Sequence, residues 1–260
     1  TIHAKNNSES LFEVNKLNDP NNAWTNWNLY AAMVGWRGSS MTITSAVSAE
    51  CWGFFNPQSD LYNAFVQAEG ANGYRLNQTM KSYEAIQNQG DKIIDGKELY
   101  GHEGFFLWKT RILKAEMISG GWMASHNNMR YMRFAEVLLL AAEAHVQNGN
   151  IDKATEYVNM VRARAQLPNK ASVSMEDVML EKRLELCGEG VRFQDMIRWG
   201  IGNKMKDQGK QIPWFTSSGT IKWMEYNGEG KAGFKEKHLL LPFPETEITL
   251  NPNVKQNPGW

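Results

Sequence analysis

The chain has no excess of charge of either sign: 28 Lys and Arg balance 28 Asp and Glu over 260 residues. A neutral protein builds no global field that would gather nucleic acid or an anionic bilayer. It also lacks a long apolar run. VLLLAA at 137–142 is bounded by charge and falls far short of the ~20 residues that a membrane helix needs. Cysteine is scarce: Cys51 and Cys187 make neither a disulfide framework nor a metal-ligand spacing, and both are expected to be free and partly buried. His3, His102, His126, His145 and His238 do not pair at metal spacing, and neither H-E-x-x-H nor G-x-S-x-G occurs. No cofactor, metal or nucleophilic triad is indicated.

Two short motif matches carry little. GEGKAG (228–233) fits G-x-G-x-x-G, but the prolines at 242 and 244 follow where a dinucleotide fold needs a helix, so a turn is expected. Asn6-Asn7-Ser8 and Asn77-Gln78-Thr79 fit the glycosylation sequon, which matters only in a eukaryotic secretory protein.

Proline is sparse and then concentrated. Four of the eight prolines fall in LPFPETEITLNPNVKQNPGW, the last 20 residues. They oppose a helix through most of that stretch, yet it carries Phe243, Ile248 and Trp260. The expectation is an extended strap anchored on helices upstream.

The chain reads as mainly α with long irregular loops and a few short strands. Residues 1–128 form a loop-rich aromatic region. Within it SESLFEVN (8–15) alternates like a strand, GYRLNQTMKSYEAI (73–86) starts extended and turns helical, and DGKELYGHEGFFLWKT (95–110) ends in a strand-like aromatic run. A helix is expected from an Asn cap at 127 to Gly149, with Phe134, Val137, Leu138, Ala141, Ala142 and His145 on its apolar face. Asn150 then caps a second helix ending at Pro168, with Ala154, Tyr157, Val158, Val161 and Ala165 as its stripe. Residues 129–168 would thus make one antiparallel, tetratricopeptide-like hairpin. Ser174 and Asp177 have capping-box spacing for a helix over 174–200, interrupted near Gly188 and Gly190. Residues 201–260 hold loops and the strap.

Glu181, Glu185 and Glu189 recur at i, i+4, i+8. Three such carboxylates repel unless neutralised. They could form a metal or acid–base site, but the abundant arginines favour a structural network, with Arg183, Arg192 and Arg198 as its expected partners.

What is plentiful is tryptophan. Of ten, Trp24, Trp27, Trp36 and Trp52 lie close together, with Tyr30, Phe54 and Phe55, and from Pro20 to Ser59 the only charged residues are Arg37 and Glu50. A single Trp is by default a core residue. Indoles in a charge-poor, Asn-rich loop also suit the apolar face of a pyranose ring. Trp27 and Trp52 are the first choices as stacking residues, followed by Trp24, Trp36 and Tyr30.

Three stretches together resemble the SusD/RagB family. MRYMRFAEVLLLAAEAHVQNGNIDKATEYVNMVRARAQLP is similar to its R-y-aE-vlL-yAEA helix and the following vN-vR-RA-l. LEKRLELCGEGVRFQDMIRWG is similar to ERr-EL-gEg-R-fDliRwG, although Lys182 departs from the pattern. LLLPFPETEITLNPNVKQNPGW is similar to the closing l-PiP--Ei--Np-l-QNPGy. The resemblance implies a non-catalytic, surface-exposed outer-membrane lipoprotein of Bacteroidota that captures an oligosaccharide and delivers it to a SusC-like TonB-dependent transporter. It also implies that these residues are the C-terminal half of a longer chain, with the lipidated cysteine outside them and the closing strap packed along the helical body. Capture of oligopeptides, as by RagB-like members, is the alternative. An α-rich glycoside hydrolase, which needs two carboxylates ~5–10 Å apart, and a helical-repeat scaffold for protein binding are further rivals.

Overall fold

Strand β1 (Ser10–Val14) and strand β7 (Met129–Arg133) pair antiparallel, with Phe12 opposite Met132 and Val14 opposite Met129. The residues from 129 to 133 are therefore extended, not the first turns of a helix. In this computed structural model, which describes residues 4–27, 29–121, 123–205, 211–225 and 234–260, the helix α5 begins only at Phe134 and runs to Gln147. Its first amides are capped from the partner strand's side: the Glu9 carbonyl accepts from Phe134 N–H at 2.8 Å and Glu9 Oε1 from Ala135 N–H at 3.2 Å. Glu9 thus caps the helix in place of the expected Asn127, because the helix starts at Phe134, beyond the reach of that cap.

Gly149, at φ 74°, and Asn150 turn the chain into helix α6 (Ile151–Arg164), where Asn150 Oδ1 caps the amide of Lys153. The two helices pack antiparallel through Leu138, Leu139 and Ala142 on one side and Ala154, Val158 and Val161 on the other, all buried. The buried face of α5 lies one position round from the expected stripe, since Phe134 is exposed and Ala135 and Leu139 are inside. Gln166, at φ 59°, ends the second helix ahead of Pro168.

Helix α7 (Met175–Glu185) opens on the anticipated reciprocal cap of Ser174 and Asp177, at 3.2 and 2.9 Å. It stops before Gly188 and Gly190, both at positive φ. Glu181 and Glu185 leave its face as a buried pair of carboxylates. Their cations come from elsewhere in the chain, not from the segment itself. Arg75 bonds Glu69 and Glu181 at 2.6 Å each and Glu185 at 3.2 Å, and Arg162 reaches Glu181 at 3.1 Å. Arg133 joins Glu185 at 2.8 Å to Glu189 at 2.6 Å. Arg164 adds a contact to Glu185 and Lys109 one to Glu189. Arg183 turns instead to Asp60, and Arg198 to Asp195.

The preceding region is built from short pieces. They are α1 (Leu29–Val34), β2 (Met41–Thr42), α2 (Ser59–Glu69), α3 (Tyr74–Thr79), β3 (Met80–Ser82), α4 (Tyr83–Gln87), β4 (Lys92–Ile93), β5 (Glu98–Tyr100) and β6 (Phe105–Leu107). Residues 73–86 thus begin helical and become extended at β3, the reverse of the expected order, because Met80–Ser82 find a partner strand in β6. β2 pairs with β4, and β5 lies beside β8 (Gln211–Thr216) and β9 (Ile221–Glu225). Trp36, Met41, Ile86, Ile93, Leu99, Phe106 and Phe215 meet in one core. Each such side chain contributes ~1.5–3 kcal/mol by leaving water. His102 is sealed in against Phe106, and burial pushes its imidazole down to about 3, so the ring is neutral and its Nδ1 accepts from Gly104 N–H at 2.9 Å. Gly104, at φ 87°, is required there, since a Cβ would fall 2.5 Å from the Phe215 ring.

The chain divides into two compact units, Thr1–Gly190 with Pro213–Trp223, and Val191–Ile212 with Met224–Trp260. The second contains helix α8 (Arg192–Arg198) and the closing segment. GEGKAG lies outside the described residues. The closing segment is not a continuous extended strap. Pro244 sits at the N-cap of a short helix α9 (Glu245–Leu250), where its fixed φ is compatible with a helix start, and Pro252 follows its end. The segment closes on itself: Gln256 accepts from the amide of Phe243 and donates to its carbonyl, both at 3.0 Å, and Trp260 Nε1 donates to Lys237 O at 2.8 Å. Phe243 and Trp260 remain close to half exposed, so burial is not their main tether.

These contacts give three expected outcomes. Glu185→Gln strips charge from a site crowded with arginines and should cost about 3 kcal/mol in denaturant unfolding. Burial alone would raise the Glu189 carboxyl, but Lys109 and Arg133 overcome it and hold it down to about 2. A depressed carboxylate contributes stability that is complete above its unfolded value near 4.5 and is lost as pH falls towards 2; an acid titration of stability that is flat across that window would contradict the assignment. In the second unit, Gln256→Ala should cost roughly 1–2 kcal/mol locally and speed hydrogen exchange of the Phe243 amide by about tenfold.

Candidate functional site

Asp19 starts the aromatic stretch by capping a 3-10 turn (Pro20–Asn26), its carboxylate accepting from Asn21 N–H at 2.9 Å. Trp27 then bridges to Ala124, and α1 follows. The carbonyls at the end of α1 are taken up by the next aromatic loop: Trp52 N–H donates to Ala32 O, and Phe54 N–H to Met33 O, each at 2.7 Å. Gly53, at φ 64°, makes this possible, because a Cβ would lie 2.8 Å from Arg37 N. The loop is thereby fastened to the helix that carries Tyr30.

This brings Trp27 and Trp52 together, whereas the Tyr30 phenol lies near Glu189 and Cys187. The Trp27 and Trp52 rings meet edge to face with centroids 6.1 Å apart, and Phe54 continues the row 5.7 Å beyond Trp52. Trp24 stands 64% exposed nearby in sequence, and Phe54 and Phe55 are about half exposed. Phe54 extends the aromatic row although it was not among the residues picked as a stacking site; its signal was the Phe-Phe pair just after an aromatic-glycine turn. Trp36 belongs elsewhere. It is 3% exposed, its Nε1 donates to Leu107 O at 3.1 Å, and Phe106 and Trp108 pack on its ring. A ring with both faces covered offers nothing to a ligand.

The polar atoms of the aromatic group are distinctive. Trp27 Nε1 and Tyr30 Oη are buried and have no hydrogen-bond partner among the described residues. Such orphans are rare in folded proteins. Burial raises the Tyr30 phenol, and the nearby Glu189 and Cys187 push it the same way, so it stays protonated and remains a donor.

The acidic triad has the opposite character. Burial would raise Glu185, but Arg133, Lys109, Arg164 and Arg75 outweigh it and hold the group below the usual carboxylate range. A general acid needs the reverse shift. Among the described residues no cluster of three His, Cys, Asp or Glu could hold a metal, and no helix is long and apolar enough to cross a membrane.

The described residues thus combine a helix-rich architecture, short paired strands and an aromatic group carried on loops. The SusD family matches residues 8–260, and the chain belongs to it. A laminarin-binding SusD-like protein of known structure superposes with a TM-score of 0.74 at 26% identity, over 98% of this chain and 51% of that one. Among curated relatives, a SusD-like protein of Bacteroides ovatus is 26% identical over 52% of this chain and 30% of its own length. SusD-like protein P38 of Formosa agariphila is 35% identical over 34% of this chain and 20% of its own. The chain thus spans about half the length of the laminarin-binding structure and less of these curated relatives.

Removing the Tyr30 hydroxyl tests whether it lacks a partner in the free protein. Tyr30→Phe is expected to leave stability unchanged or raise it by up to about 1 kcal/mol, because it deletes an unmet donor and not a bond. A clear fall in the thermal midpoint would show that the hydroxyl is bonded.

Proposed function

We propose that this chain is the glycan-binding part of a non-catalytic surface lipoprotein that captures oligosaccharides and passes them to a SusC-like TonB-dependent transporter. Localisation at the outer-membrane surface, with a lipid anchor outside these residues, belongs to the same reading. Its organisation would be a loop-rich aromatic region over residues 1–128 that carries the ligand, followed by the helical hairpin over 129–168, the helix over 174–200, and the loops and closing segment over 201–260.

The observation that carries the proposal is the row Trp27–Trp52–Phe54, built on a loop pinned to α1 and bordered by the exposed Trp24. A pyranose presents an apolar C–H face to an indole and hydroxyls at its rim. Trp27 Nε1 and Tyr30 Oη are buried donors without a partner among the described residues, so a small shift of the loop or a bridging water would be needed for a ligand to use them. The laminarin-binding relative supports a glycan as the ligand. Hydrolysis is not favoured, because the carboxylates with the most suggestive spacing are locked in ion pairs.

Calorimetry with oligosaccharides on single variants is the test. Trp52→Ala and Trp27→Ala should each weaken binding about tenfold, as expected for ~1.4 kcal/mol of lost stacking, while Trp36→Ala should act on stability. Wild-type affinity in both folded surface variants would place the platform elsewhere, and binding of peptides without glycans would favour the RagB-like alternative.

A further inference from the structure

Two cations share one indole. The Arg111 guanidinium carbon lies 4.0 Å from the Trp108 ring centroid and the Lys81 ammonium 5.5 Å from it. They come from different elements. Lys81 is the middle residue of β3, opposite Phe106 of β6, and Arg111 lies in the loop after β6. That loop is pinned where it begins, as the amides of Trp108 and Lys109 both donate to Thr79 O, at 2.8 and 3.1 Å.

Neither cation forms a salt bridge among the described residues. Their neighbours do find partners: Lys109 pairs with Glu189, and Lys114 donates to the carbonyls of Ile43 and Ser45. Arg111 Nη1 donates to Trp108 O at 2.6 Å, but its Nε has no partner, and neither does the adjacent Thr110 Oγ1, although both atoms are buried. The carboxylate whose field reaches Arg111, Glu116, is turned to the amide of Leu113 at 2.8 Å. Cation–π contact offsets only part of what desolvating a guanidinium costs. Two like charges on one ring repel each other until an anion joins them.

The position is as telling as the charge. Ser48 N–H donates to Ile112 O at 2.7 Å, and Cys51 packs against Ile112. Arg111 and Trp52 are thus each the chain neighbour of a residue in that contact, so the loops that carry the cations and the aromatic row meet at Cys51 and Ile112.

We propose that Lys81 and Arg111, over the Trp108 ring, with the neighbouring Thr110, form a subsite for an anionic substituent, a sulfate ester or a uronic-acid carboxylate, on the saccharide bound at the Trp27–Trp52 platform. This rests on the platform reading above. The guanidinium fork matches the paired oxygens of either group, and the ammonium adds a point charge.

The test pairs two measurements on the full chain. In calorimetry, sulfated and C6-carboxylated laminarihexaose should bind at least tenfold more tightly than laminarihexaose itself, and added NaCl should erode that preference. Lys81→Gln with Arg111→Gln should abolish the preference, and Arg111→Lys, which keeps the charge, should retain part of it. In NMR, glucose 6-sulfate or glucuronate, but not glucose, should shift the Arg111 Nε–H and Trp108 indole signals. A response to both anions, or to sulfate alone, supports the subsite and identifies its source. Equal affinity for charged and neutral forms, with no shift at Arg111, overturns it while leaving the platform intact. Shifts at Arg111 combined with an inert Trp52→Ala would instead keep the anion site and displace the platform.

Discussion

Glu185 cannot be left alone where it lies. It ends α7 inside the protein, where an isolated carboxylate would cost several kcal/mol to bury. Arg75, Arg133 and Arg164 meet it from α3, β7 and α6. The same cluster satisfies backbone as well as charge, since Arg133 Nη2 and Lys109 Nζ both donate to the Glu185 carbonyl at 2.8 Å. One helix end thereby fixes a strand, two other helices and a loop. Lys109 also connects this cluster to the proposed anion subsite, since it lies between Trp108 and Arg111 in the chain. Glu189, held by Lys109 and Arg133, is also the carboxylate whose field reaches Tyr30. The structural charges and the candidate binding surface are parts of one arrangement.

Features encoded locally were legible in the sequence. The caps at Asn150 and Ser174, the break at Gly188 and Gly190, and the apolar stripe of α6 depend on residues a few positions apart. Features that depend on distant partners were not. Residues 129–133 are a strand because β1, more than a hundred residues earlier, offers them a ladder, and Glu9 then starts α5 in place of a local cap. The acidic spacing announced that cations were needed but could not say which. Those nearest in sequence were expected, whereas arginines from α3, β7 and α6 do the neutralising.

The tryptophans show the same limit in another form. Trp27, Trp36 and Trp52 come from one charge-poor stretch, and nothing local separates them. Tertiary packing does. Trp36 fills the core with its Nε1 bonded to Leu107 O, whereas Trp27 keeps an unmet Nε1. The satisfied nitrogen and covered faces assign Trp36 to the core; the unmet nitrogen of Trp27 keeps it among the candidates. Composition could locate the group of candidates, and only geometry could divide it.

Overall neutrality is equally uninformative about a local field. The balance of 28 against 28 is a sum over the chain, whereas a ligand meets only charges left without a partner. Arg75, Arg133, Arg162, Arg164 and Lys109 are all spent on carboxylates within the structure. Lys81 and Arg111 are not, and they stand over an indole beside a stretch whose own charges are Arg37 and Glu50 alone. Glu116 is the carboxylate whose field reaches Arg111, and it is turned to the amide of Leu113. If the proposed subsite holds, a protein with no net charge would discriminate between ligands by sign through two local cations.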